Sequence, residues 1–379
     1  MTRRRTIVIV GTGGIADIHA NDIAKLDGRA EIVAAVDTDP ERLSAFTKKW
    51  SVPRSYADIA TMLDEERPDV VDLCTPPALH AVQARAGMER GLTVLCEKPP
   101  TLSLAELDEL TTLESVGEGR FAAVVQHRFG SGARKLRGLV ADARLGQPTV
   151  AVCNTLWFRP DDYFAVPWRG KWEIEGGGPT MGHGIHQMDL LLSILGPWRR
   201  VTAVAERRAR PTDTEDISAA IVTFDSGAVA TIINSLLSPR ETSYLRFDFA
   251  HATVELEHLY GYGDDNWTVT PVPGHEDDVA AAWNEGPSGQ PSGHRAQISA
   301  VLDALDAGVA PPVTAAQIRP TMDLVTAIYA SAFTGRPVEA GEIGPDSPFY
   351  RRLDGPGAPW LEKPEPAPNG RLDSSGVLD

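Results

Sequence analysis

The stretch Gly11-Thr12-Gly13-Gly14-Ile15-Ala16 sits where a short apolar run, Thr6-Ile7-Val8-Ile9-Val10, gives way to a helix-period pattern of Ile15, Ile18, His19, Ile23 and Leu26. An apolar run of this length, bounded by glycine, reads as a strand buried on both faces. Glycines at such a strand–helix junction match a G-x-G-x-x-G/A fingerprint in the context it requires. Gly11 lets the backbone turn sharply, Gly13 removes the Cβ that would hold a pyrophosphate away, and Ala16 keeps helix and strand close. The free N–H groups and positive end of the helix then hold the phosphates, with Thr12, Gly14 and Ile15 completing the cradle.

A second strand, Glu31-Ile32-Val33-Ala34-Ala35-Val36, ends at Asp37. A carboxylate about 20 residues beyond the glycines accepts hydrogen bonds from the adenosine ribose hydroxyls. It also repels a 2′-phosphate. Thr38, Asp39 and Pro40 bring no cation, although Arg42 is near, so NAD is expected rather than NADP.

At 379 residues the chain has room for two domains with their own cores. A net charge of −16 argues against nucleic acid as a partner, because phosphate would be repelled. Cys74, Cys96 and Cys153 have no C-x-x-C spacing, so neither structural zinc nor a disulfide scaffold is expected, and a reducing cytoplasm fits. Arg3 to Arg5 precede only a strand-length apolar run, so neither a signal peptide nor a membrane span is expected.

Through residue 126 strands and helices alternate. Strands are expected near 6–10, 32–36, 69–74, 92–96 and 121–125, and helices near 15–26, 40–49, 57–64, 78–90 and 103–114. That alternation gives a doubly wound parallel sheet with right-handed crossovers. Over 127–343 the pattern changes. Helices near 131–142 and 183–195 precede extended runs near 200–208, 216–224, 228–236, 244–249 and 252–257, and helices near 294–306 and 314–333 follow. This predicts an α/β domain on a large, mostly antiparallel sheet with one open face. The open face needs a cover, and a second subunit, as homodimer or homotetramer, is the simplest one. Residues 344–379, rich in Pro, Gly and Asp, read as an extended tail that Phe349, Tyr350 and Trp360 pin in places.

Three stretches carry chemistry. Leu73-Cys74-Thr75-Pro76-Pro77-Ala78-Leu79-His80 ends a strand at the carboxyl edge of the sheet, where open α/β folds bind ligands. Cys96-Glu97-Lys98-Pro99-Pro100 ends the next strand, and its prolines stiffen the loop that carries Lys98. Glu175-Gly176-Gly177-Gly178-Pro179-Thr180-Met181-Gly182-His183-Gly184-Ile185-His186-Gln187-Met188-Asp189 runs from a glycine turn into a helix with two histidines.

Together these motifs resemble the Gfo/Idh/MocA family of sugar and cyclitol oxidoreductases over residues 5–340. The resemblance rests on Gly11-x-Gly13-x-x-Ala16, Thr75-Pro76-Pro77 with His80, Glu97-Lys98-Pro99, and Gly176-Gly177-Gly178 followed by Gly184-x-His186. It implies a Rossmann domain, a second α/β domain and a nicotinamide in the cleft between them. Thr75, Pro76, His80, Glu97 and Lys98 then join the glycine loop and Asp37 around the cofactor. Lys98 is implied as the lysine that hydrogen-bonds the reacting hydroxyl, and His186 as the histidine that takes or gives its proton. A base near neutral pKa lets a hydroxyl lose its proton as hydride leaves, and a fixed ammonium stabilises the developing alkoxide.

The chain departs from the family pattern at Gly182, where an aspartate is usual, and adds His183 beside it. His183 and Gln187 are candidate substrate contacts, and so is His127 after the strand at 121–125. His183, His186 and Asp189 have metal-compatible spacing, but no further ligand is evident and no metal is expected. The loop from Trp157 to Trp172 carries Arg159, Tyr163, Trp168, Arg169 and Trp172, which read as a wall for a pyranose or cyclitol. Its three cations hint at an acidic substituent. The leading expectation is an NAD-dependent sugar or cyclitol dehydrogenase. One rival is NAD-dependent glycoside cleavage through oxidation, elimination, hydration and reduction, with no net NADH. A second is a non-catalytic NAD-sensing protein, against which Lys98 and His186 count.

Overall fold

The computed structural model describes residues 3–361. Its first unit is a six-stranded parallel sheet of β1 (Arg5–Val10), β2 (Ala30–Val36), β3 (Arg54–Tyr56), β4 (Val70–Leu73), β5 (Thr93–Cys96) and β6 (Arg120–Ala123), in the order β3-β2-β1-β4-β5-β6. Helices α1 (Gly14–Ala24), α2 (Pro40–Trp50), α3 (Ile59–Glu65), α4 (His80–Met88) and α5 (Leu104–Val116) cross between strands. The apolar run of β1 serves two cores. Ile7 and Ile9 face one core with Ala16, Ala20 and Ile23 of α1, while Val8 and Val10 face the other with Val71, Leu73 and Val94. The strand order reverses between β1 and β4, and a crevice opens beyond their carboxyl ends.

After α6 (Ser131–Ala141) the chain builds an eight-stranded sheet. Its strands are β7 (Pro148–Phe158), β8 (Trp198–Glu206), β9 (Ile217–Phe224), β10 (Val229–Ser235), β11 (Leu237–Phe249), β12 (Ala252–His258), β13 (Trp267–Pro271) and β14 (Val338–Glu339). They run in the order β13-β12-β11-β7-β10-β9-β8-β14, and only β7 and β10 pair in parallel. Short helices α7 (Trp172–Glu175) and α8 (Pro179–Gly182) lead into α9 (Ile185–Leu195). Alternate residues of β8, β9 and β10 are buried against α9 and α12 (Ala315–Thr334). Between β13 and α12 lie α10 (Glu276–Glu285) and α11 (His294–Ala307).

Several elements escaped the expected pattern. The inward positions of β7 are Ala151, Cys153, Thr155 and Trp157, too mixed in polarity to announce a strand. Helix α10 buries only Val279 and Ala282, so it shows almost no apolar stripe, and its acidic first turn is what suits a helix start. Although α11 follows the second sheet in sequence, it packs on the first unit, where Ile298, Val301 and Leu302 share a core with Ile7, Ile9 and Ala20.

Within the expected tail, α13 (Pro348–Arg351) buries Phe349, and the Trp360 indole N–H donates to the Asp213 carbonyl at 2.8 Å. Residues 362–379 of that tail lie outside the described residues. Among the described residues no helix is long and apolar enough to cross a membrane.

Candidate active site

A cleft of about 1060 Å³ runs from the β1–α1 turn to the loops of the second unit. Gly11 holds φ at +88°, and a Cβ there would lie 2.8 Å from the Cys74 carbonyl oxygen, so glycine is required where this turn meets the end of β4. A Cβ on Gly13 or Gly14 would meet nothing within 4 Å. Their faces open on the cleft, and no side chain caps the first turn of α1. These amides therefore fit a pyrophosphate.

Asp37 lines the same end of the cleft, and Thr12 stands behind it, donating its N–H and hydroxyl to Asp37 Oδ2 at 2.8 Å each. Asp37 Oδ1 accepts from the Asp39 amide at 2.9 Å and from Arg42 at 3.0 Å. Burial works against the charged carboxylate, but these amide, hydroxyl and guanidinium donors outweigh it and hold the pKa below the ordinary value.

Ile15, Thr75, Pro76, Glu97 and Lys98 line the next part of the cleft. His80 is not a wall. It is fully buried, with Nδ1 2.7 Å from the Pro99 carbonyl and Nε2 2.8 Å from the Thr75 carbonyl, and so ties the two loops together. The Lys98 ammonium donates to the Gly182 carbonyl at 2.7 Å across the cleft. Burial lowers the Lys98 pKa, while the Glu97 and Glu175 carboxylates resist.

On the second unit the glycine run is dictated by packing. A Cβ on Gly178 would sit 1.8 Å from the Glu215 carbonyl oxygen, and one on Gly184 would sit 2.1 Å from Asn234 Oδ1. The break between α8 and α9 turns His183 into the cleft, edge-on to Trp157 at 5.0 Å, with its Nε2 3.4 Å from the Tyr163 hydroxyl. His186 lies one layer deeper, its ring 5.0 Å from His127 and 5.9 Å from Tyr260. Both nitrogens of His186 and of His127 lack a partner within the protein. Burial first, and the Lys98 charge second, push His183 and His186 well below the usual imidazole range, so both are neutral. His127 is lowered to about 3 by burial and neighbouring His258. Gln187 stays behind the wall, bonded to His258 at 2.8 Å. Asp189 is bound to Arg128 at 2.6 Å and to Thr321, which removes it from any metal set with His183 and His186.

Of the loop residues, Arg159, Tyr163, Trp168 and Arg169 line the cleft. The Arg169 guanidinium lies 3.8 Å from the Tyr163 ring centre and 4.6 Å from that of Trp168, and Arg159 lies 4.7 Å from that of Trp157. The two loop cations that line the cleft are met by carboxylates, Arg159 by Glu241 at 2.9 Å and Arg169 by Glu175 at 3.9 Å, which weakens the hint of an acidic substituent. Trp172 corrects the expected wall. It is buried edge-on to Tyr329 and Phe333 and donates to the Asp213 carbonyl, so it supports the loop from within the core. Glu241 and Tyr260 line the cleft with no signal in the sequence, and Trp157 and Glu175 line it from the ends of the aromatic loop and of the glycine motif. Glu175 opens the glycine motif in sequence, and that adjacency was its only signal.

Residues 5–122 match the family model described as "Oxidoreductase family, NAD-binding Rossmann fold", and residues 133–257 match the "GFO/IDH/MocA C-terminal domain". Among characterised relatives, D-apiose dehydrogenase of Paraburkholderia graminis is 24% identical over 359 residues, covering 90% of this chain and 91% of that protein. D-glucoside 3-dehydrogenase of Escherichia coli is 30% identical over 195 residues, a match that spans 50% of this chain and 54% of that protein. Among solved structures, the WlbA dehydrogenase of Bordetella pertussis, in complex with NADH and UDP-GlcNAcA, superposes with a TM-score of 0.79 at 26% identity, covering 89% of this chain and 99% of that one. The dinucleotide cradle is thus that of an NAD-binding Rossmann domain, and the chain belongs to the Gfo/Idh/MocA family of oxidoreductases.

Proposed function

We propose that the protein is an NAD-dependent dehydrogenase acting on a hydroxyl-bearing carbon of a neutral pyranose or cyclitol. The observation that carries this reading is the juxtaposition of Lys98 and His183 in one cleft that continues to the glycine turn. Bound NAD supplies the hydride acceptor. Trp157, Tyr163, Trp168 and Tyr260 offer apolar faces to a sugar ring, and with Arg159 and Arg169 already facing carboxylates, hydroxyls are the groups left for the loop to recognise. Lys98 donates to the reacting oxygen from a loop stiffened by two prolines. The neutral His186 imidazole takes the hydroxyl proton, and His183 holds a neighbouring hydroxyl. Similarity to relatives named as dehydrogenases of apiose, xylose, glucosides and myo-inositol supports a polyol substrate.

The test is a panel of aldopyranoses, uronates, cyclitols and aryl glycosides mixed with NAD, following NADH and the carbonyl product together. One NADH per carbonyl from a neutral ring is expected. Aglycone release without NADH, or turnover confined to uronates, would contradict the reading.

The open sheet supplies the subunit contact in this proposal. Val150, Val204, Ile221 and Val229 are 49, 60, 56 and 41% exposed on its outer face. Sedimentation equilibrium is expected to show a dimer or tetramer that Val204→Glu with Ile221→Glu converts to monomer. A wild-type monomer would refute it.

A further inference from the structure

Beneath Lys98 lies a buried ionic cluster that the hydride chemistry does not touch. His19, on α1, is wholly buried. Its Nδ1 is 2.8 Å from Asp72 Oδ2 on β4, and its Nε2 is 3.0 Å from Glu97 Oε1 at the end of β5. A carboxylate only accepts, so a ring nitrogen facing each carboxylate needs its own proton, which makes His19 an imidazolium. Glu97 Oε1 also lies 3.2 Å from Nε2 of His294, the first residue of α11, and Glu97 Oε2 accepts the Lys98 amide at 3.1 Å. One carboxylate thus joins α1, α11 and the backbone of the active-site lysine.

The charges agree with the geometry. Burial disfavours the His19 cation, but Asp72 and Cys74 beside it raise its pKa well above the usual imidazole value. Burial disfavours the Glu97 anion too, and the two histidines hold it well below the ordinary carboxylate range. Around the Lys98 ammonium stand Glu97 beneath, Glu175 from α7, Arg159 and Arg169 from the aromatic loop, and the neutral imidazoles His183 and His186. Glu97 and Glu175 are the two anions in this set, and burial raises the Glu175 pKa. Glu97 is therefore the principal support for a charged lysine in a desolvated place.

We propose that His19 is a positioning residue for the reaction: a buried imidazolium, closed off by His294, that keeps Glu97 ionised and fixed and so holds Lys98 in register and in its ammonium form. This rests on the reading that Lys98 meets the reacting oxygen. It also gives α11 a task, because the helix that returns from the second unit carries the histidine that completes the cluster. Without the His19 charge, Glu97 is a buried carboxyl short of a cation and takes up a proton, and Lys98 then loses its proton more readily.

The experiment compares pH–rate profiles of the wild type with His19→Gln, Glu97→Gln and His294→Gln, with thermal midpoint and NAD binding measured on each. In His19→Gln and Glu97→Gln the alkaline limb of kcat is expected to move down by about one pH unit, which lowers kcat about tenfold on the alkaline side of the limb and leaves the plateau below it unchanged. NAD affinity is expected to stay within about twofold in His19→Gln and His294→Gln, whose side chains do not line the cleft, and His294→Gln should move the limb the same way by less. A lowered thermal midpoint with an unmoved or upward-moved limb would overturn the proposal and leave His19 a packing residue. Should His19→Gln not fold, Asp72→Asn removes the other anchor of the imidazolium and is expected to shift the limb in the same direction.

Selective ¹⁵N labelling of histidine provides a readout free of catalysis. Both His19 nitrogens are expected in the protonated range at pH 8, and a neutral tautomer there would refute the idea. Because His19 Nε2, His294 Nε2 and Glu97 Oε1 lie within 4.8 Å of one another, elemental analysis is a further arm. One zinc per chain, lost in His19→Gln, would overturn the imidazolium, since the metal would occupy the place of its proton. Full activity in Lys98→Met would sink the reading of Lys98 and with it the positioning role, whereas an unmoved limb in His19→Gln together with an inactive Lys98→Met would sink the positioning role alone.

Discussion

The two walls of the cleft are built differently. On the Rossmann side the polar groups at and behind the cleft wall are bonded in advance: Asp37 to Thr12 and Arg42, His80 to two carbonyls, Glu97 to two histidines and an amide. On the opposite side His183 Nδ1, both nitrogens of His186 and His127, and Gln187 Oε1 are buried with no partner in the protein. A buried polar atom without a partner costs about 1–3 kcal/mol. A wall that carries several of them trades stability for unused hydrogen-bonding capacity, which is what the proposed polyol substrate needs. The first wall holds a cofactor that is the same in every turnover, and its rigidity serves that constancy.

The largest effect that separates the walls is expected at Lys98. Lys98→Met should lower kcat on the order of 10³-fold while NAD affinity, measured by fluorescence titration, changes little. Parallel loss of NAD binding would show that the loop builds the cofactor pocket and not the catalytic donor. Next come the histidines of the opposite wall. His186→Asn is expected to lower kcat by about 10²–10³-fold, and His183→Asn to raise KM about tenfold with kcat nearly unchanged. The reverse ranking would exchange their roles and put the base at the cleft surface.

A third comparison is of stability. His127 and His258 are lowered to about 3 and about 4, mainly by burial, against an unfolded value of 6.5, and His183 and His186 are lowered as well. The folded state therefore binds fewer protons than the unfolded chain below pH 6.5, and each such histidine removes about 1.4 kcal/mol per pH unit of acidification until its own folded pKa is reached. Glu215, raised by burial to about 7 from 4.5, acts oppositely, gaining stability as pH falls from 7 to 4.5. Glu114, Glu175 and Asp323 are raised by burial too, but less than Glu215, so the four imidazoles prevail and the thermal midpoint from scanning fluorimetry is expected to fall from pH 6.5 to 4.5. A flat profile would mean that these imidazoles are solvated. The smallest effect is expected at Asp37. Asp37→Ser removes the anion that repels a 2′-phosphate and frees Arg42, 57% exposed, to meet one, narrowing the NAD preference in KM ratios about tenfold.

The difference between the walls also decides what the sequence could reveal. The cofactor wall is made of contiguous motifs, each within a few residues of a strand end: Gly11 to Ile15, Asp37, Thr75-Pro76 and Glu97-Lys98. Local rules of strand, turn and helix are enough to place them. The substrate wall is assembled from β7, the aromatic loop, the α8–α9 break and the end of β12, and its order arises only on folding. Trp172 looked like its neighbour Trp168 in a loop of aromatics, yet Tyr329 and Phe333, far along the chain, draw it into the core. Tyr260 had no local pattern, and it reaches the cleft because β12 pairs with β11 at the sheet's far side. The His19 cluster was hidden for the same reason. Its four members come from α1, β4, β5 and α11, and the helix pattern marked His19 merely as a residue on an inward face.

The most direct test is a crystal structure of the protein grown with NAD and a substrate found in the panel. The adenosine ribose should lie against Asp37 and the pyrophosphate over Gly13 and Gly14, with the reacting carbon between the nicotinamide and the pair formed by Lys98 and an imidazole of the opposite wall. A dinucleotide bound elsewhere, or a sugar whose reacting oxygen is out of reach of the Lys98 ammonium, would contradict the account.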